Sequence, residues 1–172
     1  MSNQPEAKRR TKAAPAAAVG LLLASLAVFE GREYRPYYDQ AGVLTVCKGI
    51  TGPDVVKGKW YTPAECDRLE TRYVERMNAR IGQCVGNGLN LREWVAWGHF
   101  TYNVGTPTFC NSTAAKLLRE GKPFEACQQM PKWVYITKPG IGKVNCRLKE
   151  HKCGGIPKRR DYEYQMCIEA QA

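Results

Sequence analysis

The chain has 172 residues, about one domain's worth, and is 44% hydrophobic and 24% charged. That composition buries a core and excludes a mostly disordered chain, a collagen-like repeat and a polytopic membrane protein. Lys and Arg number 26 against 16 Asp and Glu, for a net charge of +10. The first 12 residues hold +3 of it, so the body is itself basic and suits a polyanion: nucleic acid, a membrane surface or an anionic wall polymer.

Lys8, Arg9, Arg10 and Lys12 precede a run of 17 uncharged residues, Ala13 to Phe29. A basic n-region followed by an apolar h-region is the layout of an export signal. The run is rich in Ala, with Pro15, Gly20 and Ser25, and only Leu21, Leu22, Leu23 and Leu26 are strongly apolar in its centre. As a helix it spans about 26 Å, short of the ~30 Å hydrocarbon core, and Ala and Gly add little transfer energy. Such a helix enters a bilayer but is held weakly. Two other readings stand beside this one: a removable signal peptide, with Ser25-Leu26-Ala27 as its small-x-small cleavage site, and a buried N-terminal helix.

Residues 31–61 are rich in Gly, Tyr, Pro and Val and predict a small antiparallel sheet, with Asp39 to Gly42 as a turn. Thr62-Pro63-Ala64-Glu65 is a capping box with Pro at the first helical position. It opens a long helix with Cys66, Leu69, Tyr73, Met77, Ile81 and Cys84 on one face. Asn90 to Glu93 opens an aromatic helix that closes near Gly105. Asn111 or Ser112 caps the next helix, which Gly121 ends, and a short helix follows from about Pro123 to Met130. Residues 136–157 predict a loop, and Pro157 starts the last helix. The fold class is α+β: a small antiparallel β lobe joined by a long helix to a larger helical lobe.

The eight cysteines show no CxxC spacing, and the only histidines are His99 and His151. This pattern favours four disulfides over a metal site and places the body in an oxidising compartment. Spacing does not encode connectivity. Cys110 and Cys127 flank a helix pair that a disulfide would staple, and Cys146 with Cys153 would clip the 136–157 loop. Cys47 with Cys66 and Cys84 with Cys167 complete the expected set.

Glu30 and Asp39 are nine residues apart, with Thr45 beyond them. Two carboxyls across a cleft are the equipment of glycoside hydrolysis, although the spacing alone also fits a helix cap and a solvated turn acid. The wider pattern carries more. Phe29-Glu30-Gly31, Tyr37-Tyr38-Asp39, Gly42, Thr45-Val46-Cys47, Gly49, Thr51-Gly52, Tyr61-Thr62, Phe100-Thr101-Tyr102-Asn103-Val104-Gly105, Ser112-Thr113, Trp133-Val134-Tyr135 and Arg159-Arg160 occur in one order. This stretch resembles the phage-type lysozymes, glycoside hydrolase family 24, over roughly residues 28–168, and looks most like exported phage endolysins.

The resemblance implies a lysozyme-like fold and a muramidase that cuts between N-acetylmuramic acid and N-acetylglucosamine in peptidoglycan. It implies Glu30 as general acid, Asp39 on the opposite face and Thr45 positioning a water, the inverting arrangement. Tyr102 and Ser112 match positions that line the saccharide groove. Gln129 and Thr51 are weaker substrate-binding candidates, since neither matches the family's residue type. No cofactor or metal is expected. Family members often carry Tyr-Gly-His-Thr where this chain has Lys48-Gly49-Ile50-Thr51, which questions the local stability of the sheet. The competing class is a non-catalytic peptidoglycan- or polyanion-binding module; no recognisable motif supports a nucleic-acid binder.

A catalytic Glu30 argues against cleavage after Ala27, which would remove the helix that holds it. The segment resembles the signal-arrest-release leaders of some endolysins. Residues 1–29 are then a leader and residues 30–172 the catalytic domain. The host export machinery delivers the chain to the periplasmic face of the inner membrane. A holin acts indirectly by depolarising that membrane, and the enzyme continues as a periplasmic monomer. The leader contains no cysteine, so activation is expected from refolding alone.

Overall fold

A computed structural model describes residues 10–39 and 42–172. Lys8 and Arg9 of the basic n-region, and Gln40 and Ala41 of the predicted turn, lie outside the described residues.

The first helix, α1 (Ala16–Leu26), follows Pro15 and is built from strong helix formers. Ala18, Leu22 and Leu26 recur at four-residue steps and are fully buried, while Leu21 on the other side is 52% exposed. The β lobe is a three-stranded antiparallel sheet in the order β1 (Glu33–Tyr38), β2 (Leu44–Cys47), β3 (Ile50–Thr51). Its core is Val46, Cys47, Ile50, Val55, Tyr61, Cys66 and Leu69.

The connection between lobes is α2 (Pro63–Val85), 23 residues and about 35 Å long. Both halves of its predicted capping box form: the Thr62 hydroxyl accepts from the Glu65 amide, and the Glu65 carboxylate accepts from the Thr62 amide. Cys66 and Leu69 pack into the β-lobe core, whereas Val74, Met77, Ile81 and Val85 pack into the helical-lobe core. Tyr73 touches both. One amphipathic helix thereby fixes the two lobes relative to each other.

The helical lobe adds α3 (Leu91–Val104), α4 (Thr106–Cys110), α5 (Thr113–Arg119), α6 (Pro123–Cys127) and α7 (Gly155–Glu169). Asn90 and Glu93 form the second predicted capping box, so α3 starts where the sequence places it. Trp94, Trp97, Phe100 and Phe109 are buried at its centre. Gly98 lets α1 approach closely: a Cβ there would lie 2.5 Å from a Leu22 methyl.

Three expectations need correction. The segment expected to be a loop holds a hairpin of β4 (Tyr135–Lys138) and β5 (Gly142–Asn145), and α7 starts at Gly155, two residues before Pro157. Gly140 and Gly142, at φ +73° and +90°, turn the chain between the strands. The short helix expected from Pro123 to Met130 stops at Cys127, and Met130–Lys132 is a separate 3-10 turn.

The disulfides are Cys47–Cys66, Cys84–Cys110, Cys127–Cys167 and Cys146–Cys153. The first and last are the expected pairs; Cys110–Cys127 and Cys84–Cys167 do not form. Cys110 ends α4 against the last turns of α2, with Cα atoms of Cys84 and Cys110 5.5 Å apart. The end of α6 faces the end of α7, with Cα atoms of Cys127 and Cys167 5.6 Å apart. The α5–α6 pair needs no staple, because Ala114, Ala115, Leu118 and Ala126 already join the main core.

Non-reducing peptide mapping is expected to recover a Cys127–Cys167 linked pair and no Cys110–Cys127 pair. Replacing Cys127 and Cys167 together by Ser opens a 40-residue loop and is expected to cost about 2–4 kcal/mol of stability in denaturant titration.

Candidate active site

Glu30 lies just beyond α1, and its amide closes the last turn by donating to the Leu26 carbonyl at 2.9 Å. Burial of Leu26 and Leu22 therefore sets where Glu30 begins. The preceding Phe29 is packed edge-on against His99 and at a tilt against Tyr162, at 5.2 Å between ring centres in both cases. The Glu30 side chain is 24% exposed, and its Oε1 accepts from Arg159 Nη1 of α7 at 2.7 Å. The Arg159 guanidinium also covers the Phe29 ring at 5.2 Å. Two chain segments 129 residues apart thus lock one carboxylate.

Tyr102 of α3 occupies the same neighbourhood. Its hydroxyl donates to the Lys48 carbonyl in the β2–β3 turn, and its ring meets Tyr73 edge-on at 5.3 Å. Burial above all, and then the negative charge of Glu30, push the Tyr102 phenol well above the ordinary tyrosine range. It therefore stays a neutral donor at any working pH. This bond ties the helical lobe to the β lobe beside Glu30.

Asp39 and Thr45 are joined through Val43. The Val43 amide donates to Asp39 Oδ1 at 2.8 Å, and its carbonyl accepts from the Asp39 amide at 3.0 Å and from the Thr45 hydroxyl at 2.9 Å. Gly42, at φ +75°, makes the tight return possible. Thr45 is buried on β2, where it pairs with Tyr37 on one side and Thr51 on the other. Glu30 and Asp39 flank opposite ends of β1.

Thr51 lines a groove of about 540 Å³ with Tyr73, Arg76, Met77, Arg80 and Thr106. The β lobe forms one wall, α4 the other and α2 the floor, a shape suited to an extended polymer. Of the residues expected at the site, Thr51 alone lines it; Glu30, Asp39, Thr45, Tyr102, Ser112 and Gln129 do not. The Ser112 hydroxyl caps α5 by accepting from the Ala115 amide at 3.2 Å. Gln129 bonds the Glu125 carbonyl at 3.2 Å and Lys132 at 2.9 Å on the helical lobe.

Sequence reading missed a second cluster. Glu70 of α2 is buried; it takes two bonds from Arg32, at 3.0 and 2.8 Å, and an ion pair from Lys48 at 3.3 Å. Ile50 fills the β-lobe core, and Lys48 with Arg32 supplies a polar tie to α2. The signal was present as a carboxylate on the apolar face of a helix, which demands a partner. Arg159 carried no comparable signal, since its burial on the last helix emerges only from the tertiary packing. Among the described residues the one cluster of potential metal ligands, Cys47, Cys66 and Glu70, is closed off, since the sulfurs bond each other and the carboxylate is ion-paired.

A family model described as phage lysozyme matches residues 27–163. The chain belongs to the phage lysozyme family. Among relatives of known name, an SAR-endolysin of Pseudomonas phage phiKMV is 33% identical over 153 residues, covering 89% of this chain and 89% of that one. An SAR-endolysin of bacteriophage PS119 is 34% identical over 139 residues, covering 81% and 76%. The fold is shared with the solved endolysin from Escherichia coli O157:H7 phage FAHEc1, at TM-score 0.71 and 24% identity over 90% of this chain and 92% of that one. It is shared as well with the muramidase domain of SpmX from Asticaccaulis excentricus, at TM-score 0.72 and 21% identity over 93% and 99%. The lysozyme-like α+β fold expected from the sequence is the one observed.

In this phage-lysozyme fold Tyr102→Phe removes the hydroxyl bond between lobes and leaves the Lys48 carbonyl without its donor. It is expected to cost about 1 kcal/mol in stability and to lower turnover of a saccharide polymer, with no change in the basic limb of the pH–rate profile.

Proposed function

We propose that this chain is an endolysin, a muramidase that hydrolyses the β-1,4 bond between N-acetylmuramic acid and N-acetylglucosamine in peptidoglycan and so lyses the host cell. The observation that carries the reading is membership of the phage lysozyme family together with Glu30, Asp39 and Thr45 on the helix end, turn and strand that flank β1. Relatives named SAR-endolysin support it. The net charge of +10 suits an anionic wall.

In this reading Glu30 protonates the glycosidic oxygen as the bond breaks. Asp39 draws the proton from a water that attacks the anomeric carbon from the opposite face, and Thr45 helps seat that water. The product is inverted at that carbon. Arg159 keeps the Glu30 carboxyl aimed, and the groove past Thr51 carries the flanking sugars, with Tyr102 holding the two walls together. Ser112 and Gln129 act in the helical lobe's own structure.

Before lysis, residues 13–29 hold the exported chain on the periplasmic face of the inner membrane. Among the described residues no helix is long and apolar enough to cross a membrane, and α1 covers only 11 residues of the run. Weak retention in lipid follows from the roughly 26 Å that the whole 17-residue run spans as a helix and from its Ala-rich composition. Release into the periplasm lets Ala18, Leu22 and Leu26 enter the core, which places Glu30. Leader (residues 1–29) and catalytic domain (30–172) are thus separate in the tethered state and share one core afterwards. The enzyme acts as a monomer without nucleic acid, and a holin contributes only by depolarising the membrane.

Glu30→Gln is expected to lower lysis of outer-membrane-permeabilised bacteria by about 10²–10⁴-fold with native folding. Mass analysis of wild-type products is expected to find reducing ends on muramic acid. Sedimentation with walls but no lysis by wild type would favour the binding-module reading instead.

Gly20→Leu combined with Ser25→Leu is expected to keep the chain in the membrane fraction and abolish lysis. A Cβ at Gly20 meets nothing within 4 Å, so a soluble, fully lytic double variant would remove the tethering step.

A further inference from the structure

The residues ahead of α1 return across the helical lobe as a strap with a shaped seat. Thr11 forms an antiparallel bridge with Leu89: its amide donates to the Leu89 carbonyl at 2.7 Å, and the Leu89 amide donates to the Thr11 carbonyl at 2.8 Å. The Thr11 hydroxyl accepts from the Trp94 indole at 3.0 Å. Arg10 ion-pairs with Glu93 at 3.0 Å and donates to the Gly88 carbonyl at 2.9 Å. The Glu93 side chain is fully buried, and Arg10 is its only cationic partner among the described residues.

The seat is cut to fit main chain. A Cβ at Gly82 would lie 2.3 Å from the Lys12 carbonyl oxygen, and one at Gly88 would lie 2.8 Å from the Thr11 carbonyl. Backbone pairing, an indole bond, a buried ion pair and two glycines therefore converge on Arg10-Thr11-Lys12. An incidental contact of a polar N-terminal segment would not require all four.

This arrangement bears on release, and the argument rests on the tethered reading above. With residues 13–29 in lipid, the basic strap stays on the cytoplasmic side, while Leu89, Glu93 and Trp94 face the periplasm. About 30 Å of hydrocarbon then separates the strap from its seat. We propose that Arg10–Lys12 is a latch that closes only after the leader has left the bilayer. It makes release one-way and holds α1, and with it Glu30, in the active enzyme. Until it closes, Glu93 lacks its cation and the Trp94 indole lacks its acceptor, so the open body is strained toward capture. After it closes, re-entry of α1 into lipid must first break all of these contacts.

Two substitutions in the body test the latch without altering the leader. Gly82→Ala places a methyl group where the Lys12 carbonyl sits. Glu93→Gln removes the ion pair but keeps a capping-box residue type at that position of α3. Cells expressing wild type or a variant are depolarised with a protonophore and separated into membrane and soluble fractions over time. Purified soluble protein is followed by amide hydrogen exchange at Thr11 and Leu89, with circular dichroism as the check on folding. The latch predicts at least a threefold drop in the released fraction and at least a tenfold loss of protection at Thr11 and Leu89 in folded variants. Wild-type release and protection in both variants would overturn the latch and leave tethering intact. Wild type found soluble before depolarisation would overturn tethering, and the latch with it. A variant that fails to fold is replaced by Arg10→Gln, judged on the same two readouts.

Discussion

Burial of one face of α1 is the constraint on which the active site depends. Ala18, Leu22 and Leu26 are sealed in the helical core, and Gly98, lacking a Cβ, leaves the space that a Leu22 methyl occupies. Glu30 follows one turn after Leu26, so its backbone position is a consequence of that packing. Removing a leucine from this face would do more than open a cavity; it would free the residue proposed as the acid. The same segment read alone has the composition of a weak export helix. In the tethered state proposed above the same stretch would serve two solvents, because Ala and Leu satisfy a protein core as readily as the edge of a bilayer.

Around that helix the site is held by charges that are paired rather than solvated. Arg159 restrains Glu30 from α7, and Glu70 restrains Arg32 and Lys48 from α2. Lys48 is engaged twice, through its ammonium by Glu70 and through its carbonyl by Tyr102. The β2–β3 turn is therefore pinned to both the interlobe helix and the aromatic helix. Each contact is ordinary in strength, but together they join the two lobes beside Glu30.

The parts legible in the sequence were those governed by neighbours in the chain. The capping boxes at Thr62 and Asn90 formed as written, since a side chain and the amides three residues away need no tertiary partner. The antiparallel pairing of the β lobe and the interlobe helix follow from local patterns as well, whereas the third strand and the disulfide connectivity do not. The hairpin at 135–145 was missed because Pro139, Gly140 and many charges obscure a weak alternation. The Ser112 hydroxyl has a local explanation, a helix cap, that competes with a place in the groove.

By itself, the sequence determined the lysozyme-like family, the order of the elements, the number of half-cystines and the residues capable of acid–base chemistry. Only the tertiary structure decided that Cys84 meets Cys110, that Cys127 meets Cys167, that Arg159 faces Glu30 and that Arg10 reaches Glu93. The physical reason is separation along the chain. Helix caps and turns are set by angles within a few residues, whereas a contact across 129 positions, such as that between Glu30 and Arg159, depends on how every intervening helix packs.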